Sequence, residues 1–277
     1  MEVNIIKAIQ SISSPFFDSF FEGVTILGEQ LAYIVVFSIL YWCWNKKEAA
    51  KLILVFLLSA IVNNGLKGII MRERPIGYEG IFSIREHTAT GSSFPSGHTQ
   101  STATFFYYIA YMLKKPWVTV ISVIMICLVA FSRMYLGLHW LSDVIGSILV
   151  AIFMVRVGLM IFKTFDIKKL FIVLILVNII TILVVTEDLI VATAIITGAI
   201  IGLVIEHKYI DFSNKTAKFA TQLVKVIFGL LIVMLIKEGV KLFTPDTYLF
   251  DYIRYMIIGL WVSAGAPYFF KKFSIFN

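Results

Sequence analysis

His139 and Asp143 stand four residues apart in the stretch HWLSD. Side chains at positions i and i+4 lie on one face of a helix, so the Asp143 carboxylate can reach one imidazole nitrogen of His139. A histidine held at one nitrogen has a fixed tautomer and a free second nitrogen, as a nucleophile or general base requires. The same spacing suits a buried structural hydrogen bond, or a metal site with His87 or His98 as further ligands. The spacing by itself leaves these interpretations open.

The stretch GSSFPSGHTQ places His98 at the predicted start of a helix. Ser92 and Ser93 are good helix caps, and Pro95 is tolerated in a first turn. The turn from Ser96 to His98 then lies where backbone N–H groups have no partner within the helix, and such a terminus favours a bound anion. Taken alone, the stretch also fits a capped helix start with His98 as an interfacial side chain.

The segments that must position these residues are those of a membrane protein. Of the 277 residues, 59% are hydrophobic and only 15% are charged, whereas typical soluble domains are about 25% charged. A membrane crossing needs about 20 mostly apolar residues. Nine segments qualify, at 24–44, 49–71, 95–113, 117–137, 139–162, 169–186, 188–205, 218–237 and 251–270. We therefore expect an all-α, polytopic membrane helical bundle of about nine transmembrane helices, preceded by an amphipathic interfacial helix.

The basic residues predict how this bundle is oriented. When nine segments are threaded alternately, 13 of the 24 lysines and arginines fall on one side. These are Lys46, Lys47, Lys51, Lys114, Lys115, Lys163, Lys168, Lys169, Lys208, Lys215, Lys218, Lys271 and Lys272. The positive-inside rule places that side, with the carboxy terminus, in the cytoplasm. Because the net charge of +7 is concentrated in these loops, we expect a lipid bilayer and no nucleic acid as partner.

Three further basic residues belong with the two histidines. Lys67 and Arg74 are seven apart in NNGLKGIIMRERP, a spacing that stacks side chains on one helical face, and Pro75 disfavours helix at Arg74. Ionisable groups in or beside apolar segments are costly and therefore candidates for function, although Lys67 could also extend to the interface. The threading places one group of residues at a single, extracytoplasmic membrane face: Lys67, Arg74, Ser96, Gly97, His98, Arg133 and His139. Cations, a helix terminus and two histidines at one depth predict a phosphate pocket.

The same residues resemble the three signature motifs of the type 2 phosphatidic acid phosphatase family. Lys67 is followed after six residues by Arg74–Pro75, the second motif is Pro95–Ser96–Gly97–His98, and the third runs from Ser132–Arg133 through His139 to Asp143. The family includes lipid phosphate phosphatases, undecaprenyl diphosphate phosphatases and glucose-6-phosphatases. All three motifs are present in order, and they cover residues 67 to 143.

The resemblance implies a mechanism and a role for each residue. It implies that His139 attacks phosphorus and forms a phosphohistidine, that Asp143 orients His139, and that His98 is the general acid and base. It further implies a phosphate-binding set consisting of Lys67, Arg74, Ser96, Gly97 and Arg133. No metal and no cofactor are implied, because the basic residues would neutralise the phosphoryl charge.

The predicted function is accordingly a multi-pass membrane phosphatase with a membrane lipid as substrate. The substrate is expected to be a lipid phosphate monoester or diphosphate of the phosphatidate, phosphatidylglycerol phosphate or isoprenyl diphosphate type. A soluble sugar phosphate or a sphingoid phosphate is the alternative, and a catalytically inactive lipid-binding or transport protein is the alternative outside enzymes. We expect 1–23 to be the interfacial segment, 24–162 the phosphatase core and 163–277 a transmembrane extension of the same domain. The oligomeric state is not predicted.

Overall fold

The computed structural model describes residues 1–164, 166–213 and 218–273, and within these ranges the chain is helical with no strand. The first helices are α1 (Glu2–Gln10), α2 (Pro15–Ile26), α3 (Gln30–Ile39, continued by a π-helical turn to Trp44), α4 (Lys46–Ile70), α5 (Gly97–Leu113), α6 (Pro116–Tyr135) and α7 (Leu141–Ile161). The later helices are α8 (Ile167–Leu183), α9 (Glu187–Ile205), α10 (Phe219–Met234), α11 (Val240–Phe243), α12 (Tyr248–Leu260) and α13 (Ala266–Lys272). The all-α prediction is confirmed for these ranges. Lys215 and residues 274–277 lie outside them.

Five helical stretches in the described ranges are long and apolar enough to cross a membrane. They are Lys46–Ile70, Pro116–Tyr135, Leu141–Ile161, Glu187–Ile210 and Phe219–Phe243. The other four predicted segments contain shorter helices, such as α5 and α8 with 17 residues each. The count of nine therefore stays a prediction.

The first predicted crossing, 24–44, is not one helix. Helix α2 ends at Ile26 and α3 begins at Gln30. The turn between them contains Gly28, where an added Cβ would lie 2.8 Å from the Cβ of His98. This contact leaves no room for a side chain, so a glycine allows the turn to pack closely against His98 of α5.

The described chain divides into two compact units. One unit consists of Met1–Tyr33 and Val62–Val157, and the other of Ile34–Ile61 and the described part of Gly158–Asn277. These units interleave along the sequence, whereas the predicted segments 1–23, 24–162 and 163–277 are consecutive. The predicted segment boundaries stay a prediction.

In the first unit, α1, α2 and α5 all pack against α6. Ile6 of α1 is fully buried beside Ile81 and Trp140, so the apolar side of α1 faces protein. Phe16 and Phe20 of α2 remain largely exposed, as they would be in a segment at a membrane surface. The interfacial role of residues 1–23 stays a prediction.

In the second unit, α9 and α12 approach closely through glycines. Gly198 lies against the backbone of Met256, and Gly259 lies against the backbone of Ile195. Small residues allow helix backbones to meet in this way, which stabilises helix pairs in a bilayer where apolar burial contributes little. This unit contains none of the residues of the three motifs.

Candidate active site

His139 lies in the connection between α6 and α7. Gly137 makes the turn possible with φ +68, a conformation that costs glycine little. Helix α7 begins at Leu141, two residues later than the predicted crossing, so His139 precedes the helix and Asp143 lies in its first turn. The Nδ1 of His139 is 3.6 Å from Oδ2 of Asp143, which brings the predicted pair together at a distance longer than a hydrogen bond.

The other ring nitrogen of His139 faces Arg74. Nη1 of Arg74 is 3.1 Å from Nε2 of His139. A guanidinium has only donors, so Nε2 must accept, and the hydrogen-bond network assigns the ring proton to Nδ1 on the Asp143 side. Burial, followed by the charges of Arg133, Arg74 and Lys67, lowers the pKa of His139 well below its ordinary value. The imidazole is therefore neutral at pH 7, with the lone pair of Nε2 directed at Nη1 of Arg74.

Arg74 itself is held by backbone carbonyl groups. Its guanidinium donates to the carbonyls of Thr90 (2.7 Å), Gly91 (3.0 Å) and Leu138 (2.9 Å). Helix α4 ends at Ile70, so Arg74 reaches the site from the non-helical segment that follows it. The predicted stacking of Lys67 and Arg74 on one helical face is therefore wrong, because the helix does not extend to Arg74.

Asp143 is completely buried and is held at both oxygens. Oδ2 accepts from the Ser93 hydroxyl at 2.5 Å and from the Trp140 amide at 2.8 Å. Oδ1 accepts from Nη1 of Arg72 at 2.7 Å. These three donors fix the plane of the carboxylate.

Sequence reasoning missed Arg72. Arg72 and Arg74 are two residues apart in the non-helical segment after α4, a spacing that can bring two side chains to one site. That spacing is the signal that could have found Arg72, but it becomes visible only once α4 is known to end at Ile70.

Arg133 and His98 present polar atoms that no group in the described part of the chain satisfies. Nη1 of the fully buried Arg133 donates to the Thr25 hydroxyl at 2.9 Å. Its Nε and Nη2, and Nε2 of His98, are buried without a hydrogen-bond partner among the described residues. Buried unpaired donors cost about 1–3 kcal/mol each, and more for charged groups, so this arrangement favours an anionic ligand.

The start of α5 differs in detail from the prediction. The helix begins at Gly97 with Ser96 as its N-cap residue, so Ser92 and Ser93 are not caps and Pro95 precedes the first turn. The side chain of Ser96 is buried and lies 3.1 Å from the Thr99 hydroxyl. Gly97 remains next to the cationic cluster, because a Cβ there would lie 3.9 Å from Nζ of Lys67.

His87, which the sequence offers as a possible metal ligand, is not among the buried residues around His139. His87 lies on the surface of the loop between α4 and α5. Within the described ranges, no group of three or more His, Cys, Asp or Glu side chains is arranged to hold a metal ion.

A second arginine that sequence reasoning missed, Arg85, pairs with Glu29 at 2.6 Å, and its positive charge contributes to the environment of His98 and Arg133.

Comparisons with known proteins find relatives for much of this sequence. The family model described as "PAP2 superfamily" matches residues 48–167, and one described as "PAP2 superfamily phosphatase, transmembrane extension" matches residues 190–277. Phosphatidylglycerophosphatase B of Bacillus subtilis (strain 168) is 32% identical over 156 residues, which are 52% of this chain and 74% of that protein. An undecaprenyl-diphosphatase of Sulfolobus acidocaldarius is 27% identical over 145 residues, which are 52% of this chain and 69% of that protein.

A solved structure shares the fold of the motif-bearing part. The crystal structure of the first transmembrane PAP2 type phosphatidylglycerolphosphate phosphatase from Bacillus subtilis matches with a TM-score of 0.50 and 27% identity. The match covers 59% of this chain and 85% of that chain. With the three motifs gathered around His139, these similarities show that the chain belongs to the PAP2 superfamily and is a membrane phosphatase.

Proposed function

We propose that the chain hydrolyses a lipid phosphate monoester or diphosphate, without a metal ion, through a phosphohistidine intermediate. The observation that carries the proposal is the buried imidazole of His139, with Nε2 facing Arg74 and Nδ1 facing Asp143. The unpaired buried donors of Arg133 support a bound phosphoryl group beside it.

In the first step, Nε2 of His139 attacks phosphorus while the bond to the leaving oxygen breaks. His98 donates a proton to that oxygen, and Asp143 stabilises the charged ring of His139. Lys67, Arg74 and Arg133, together with Ser96 and the Gly97 amide, bind the three phosphoryl oxygens and stabilise their developing charge. In the second step, His98 takes a proton from the water that attacks phosphorus, and phosphate leaves His139.

The substrate class is proposed from two similarities. The relatives named above are a phosphatidylglycerophosphatase and an undecaprenyl-diphosphatase, and both substrates carry a phosphate on a lipid. A site beside membrane-crossing helices is open to amphiphiles that arrive from the bilayer. From the apolar segments and the amphipathic pattern we also infer nine crossings with residues 1–23 on the membrane surface. From the distribution of lysines we infer an extracytoplasmic site and a cytoplasmic carboxy terminus.

Phosphate release by detergent-purified protein tests the proposal. The panel comprises phosphatidate, phosphatidylglycerol phosphate, an isoprenyl diphosphate, sphingosine phosphate and glucose 6-phosphate, each assayed in the presence of a chelator. We expect release from a lipid substrate to persist in chelator, and His139→Ala to lower kcat by about 10⁴-fold or more, as loss of a nucleophile does elsewhere. His87→Ala, which changes an exposed histidine of the neighbouring loop, serves as the matched control and should retain wild-type activity.

Each alternative predicts a different outcome. Full activity of His139→Ala would refute the phosphohistidine mechanism, and loss of activity in chelator would favour a metal-dependent reaction. Preference for glucose 6-phosphate or sphingosine phosphate would replace the proposed substrate class. A folded wild-type protein that releases phosphate from none of the panel would favour a lipid-binding or transport function.

A further inference from the structure

Glu2 at the start of α1 contacts the first turn of α7, which carries Asp143. Oε1 of Glu2 accepts from the Ser142 amide at 2.9 Å and from the Ser142 hydroxyl at 2.8 Å. Ser142 is the second residue of α7, where a backbone N–H has no partner within the helix. Glu2 therefore caps α7 from a different helix.

The second oxygen of Glu2 engages Arg72. Oε2 of Glu2 is 2.6 Å from Nη2 of Arg72, whose Nη1 is 2.7 Å from Oδ1 of Asp143. The carboxylates of Glu2 and Asp143 thus bind the two terminal nitrogens of one guanidinium. Burial raises the pKa of Glu2, but hydrogen bonds from Ser142 and Arg72 outweigh this effect and the pKa is lowered overall, so Glu2 is ionised at pH 7.

Helix α1 is itself anchored on the residues around the site. Ile6 is fully buried. The side-chain Nε2 of Gln10 donates to the backbone carbonyls of Phe82 (2.8 Å) and Tyr135 (2.9 Å). The side-chain Oε1 of Gln10 accepts from the backbone N–H of Phe82. Contacts in the middle and at the carboxy-terminal end of α1 fix the position from which Glu2 reaches Arg72.

We propose that Glu2 is a positioning residue for the phosphatase reaction: it fixes the Arg72 guanidinium, which holds the Asp143 carboxylate towards His139. Arg72 is partly exposed, with a side-chain exposure of 30%, and a long flexible side chain of this kind has many rotamers unless a second partner restricts it. Glu2 lies outside the part of the chain that the PAP2 model matches, which begins at residue 48. The contact therefore brings an amino-terminal residue of this chain to the residues of the PAP2 motifs.

The inference rests on the proposed function, and kinetics of Glu2→Gln on the best lipid substrate test it. Glutamine keeps an oxygen for the Ser142 amide but removes the charge from Arg72. We expect kcat to fall on the order of tenfold, because small misplacement of catalytic groups is costly, while KM changes by less than about threefold since Glu2 does not touch phosphate. Glu73→Gln is the matched control, because it removes an exposed carboxylate next to Arg72, and it should behave as wild type.

A double-mutant cycle with Arg72→Gln separates positioning from general stabilisation. If Glu2 acts through Arg72, the double variant has the same kcat as Arg72→Gln alone. If the two residues act independently, the fold-loss in kcat of the double variant is the product of the two single losses. Glu2→Asp keeps the charge on a side chain shorter by one methylene, and we expect a kcat between those of wild type and Glu2→Gln. Thermal unfolding of each variant establishes that the assayed protein is folded.

Failure of the inference is distinguishable from failure of the proposed function. An active wild-type enzyme with an unchanged kcat in Glu2→Gln, or with multiplicative losses in the double variant, would overturn only the positioning role. A wild-type enzyme inactive on every substrate of the panel would overturn both.

Discussion

At the scale of single residues, the two histidines differ in what surrounds them. His139 has Arg74 at one nitrogen and Asp143 near the other. His98 has a buried Nε2 without a protein partner in the described part of the chain. The first environment suits a group that must be neutral and correctly oriented before it attacks. The second suits a group that exchanges a proton with the substrate.

Gly28→Ala tests how tightly His98 must be placed. An alanine Cβ would lie 2.8 Å from Cβ and 3.1 Å from Cα of His98, so the histidine backbone and ring must both move. We expect kcat to fall by roughly tenfold or more. Gly23→Ala on α2 is the control, because nothing lies within 4 Å of its added Cβ, and steady-state kinetics of both variants make the comparison. Equal activity of the two variants would show that the reaction does not depend on the exact position of His98.

At the scale of elements, α2 contributes to the site from outside the three motifs. The sequence pattern predicts residues 1–23 as a surface segment, yet Thr25, two residues further on, is fully buried and holds Arg133. A threonine in an apolar stretch gives no sign of such a contact, since its partner is 108 residues away. This part of the site depends on how α2 packs on α6.

Thr25→Val tests the contribution of α2. Valine keeps the shape but removes the hydroxyl that accepts from Arg133, leaving another buried donor unpaired at a cost of about 1–3 kcal/mol. We expect a lower thermal midpoint and a kcat/KM reduced on the order of tenfold. Thr119→Val, at a solvent- or lipid-facing position of α6, should change neither quantity. Wild-type kcat/KM in Thr25→Val would show that the reaction does not depend on the hydrogen bond between Arg133 and Thr25 of α2.

At the scale of the whole molecule, the residues of the three motifs all belong to the compact unit formed by Met1–Tyr33 and Val62–Val157. The PAP2 extension model, residues 190–277, matches sequence assigned to the other unit. The lysine distribution predicts that the loop between α4 and α5 faces away from the cytoplasm, whereas the π-helical turn Glu206–Ile210 after α9, which contains Lys208, faces the cytoplasm.

Cysteine labelling tests this orientation. After Cys43 and Cys127 are replaced, Glu86→Cys and Lys208→Cys each introduce one thiol at an exposed position. We expect a membrane-impermeant maleimide to label Glu86→Cys in intact cells and Lys208→Cys only after the membrane is permeabilised. The opposite pattern would place the site in the cytoplasm.

The sequence by itself determined the membrane class, the helical content of the described ranges and the motif residues. Hydropathy and residue spacing are local properties, and costly polar groups stand out in an apolar chain. It did not determine that 24–44 is interrupted at Gly28, that α4 ends before Arg74, or that Glu2, Thr25 and Arg72 support the site. Those features arise from contacts between residues far apart in sequence, and only the tertiary structure decides which distant side chain satisfies a buried charge.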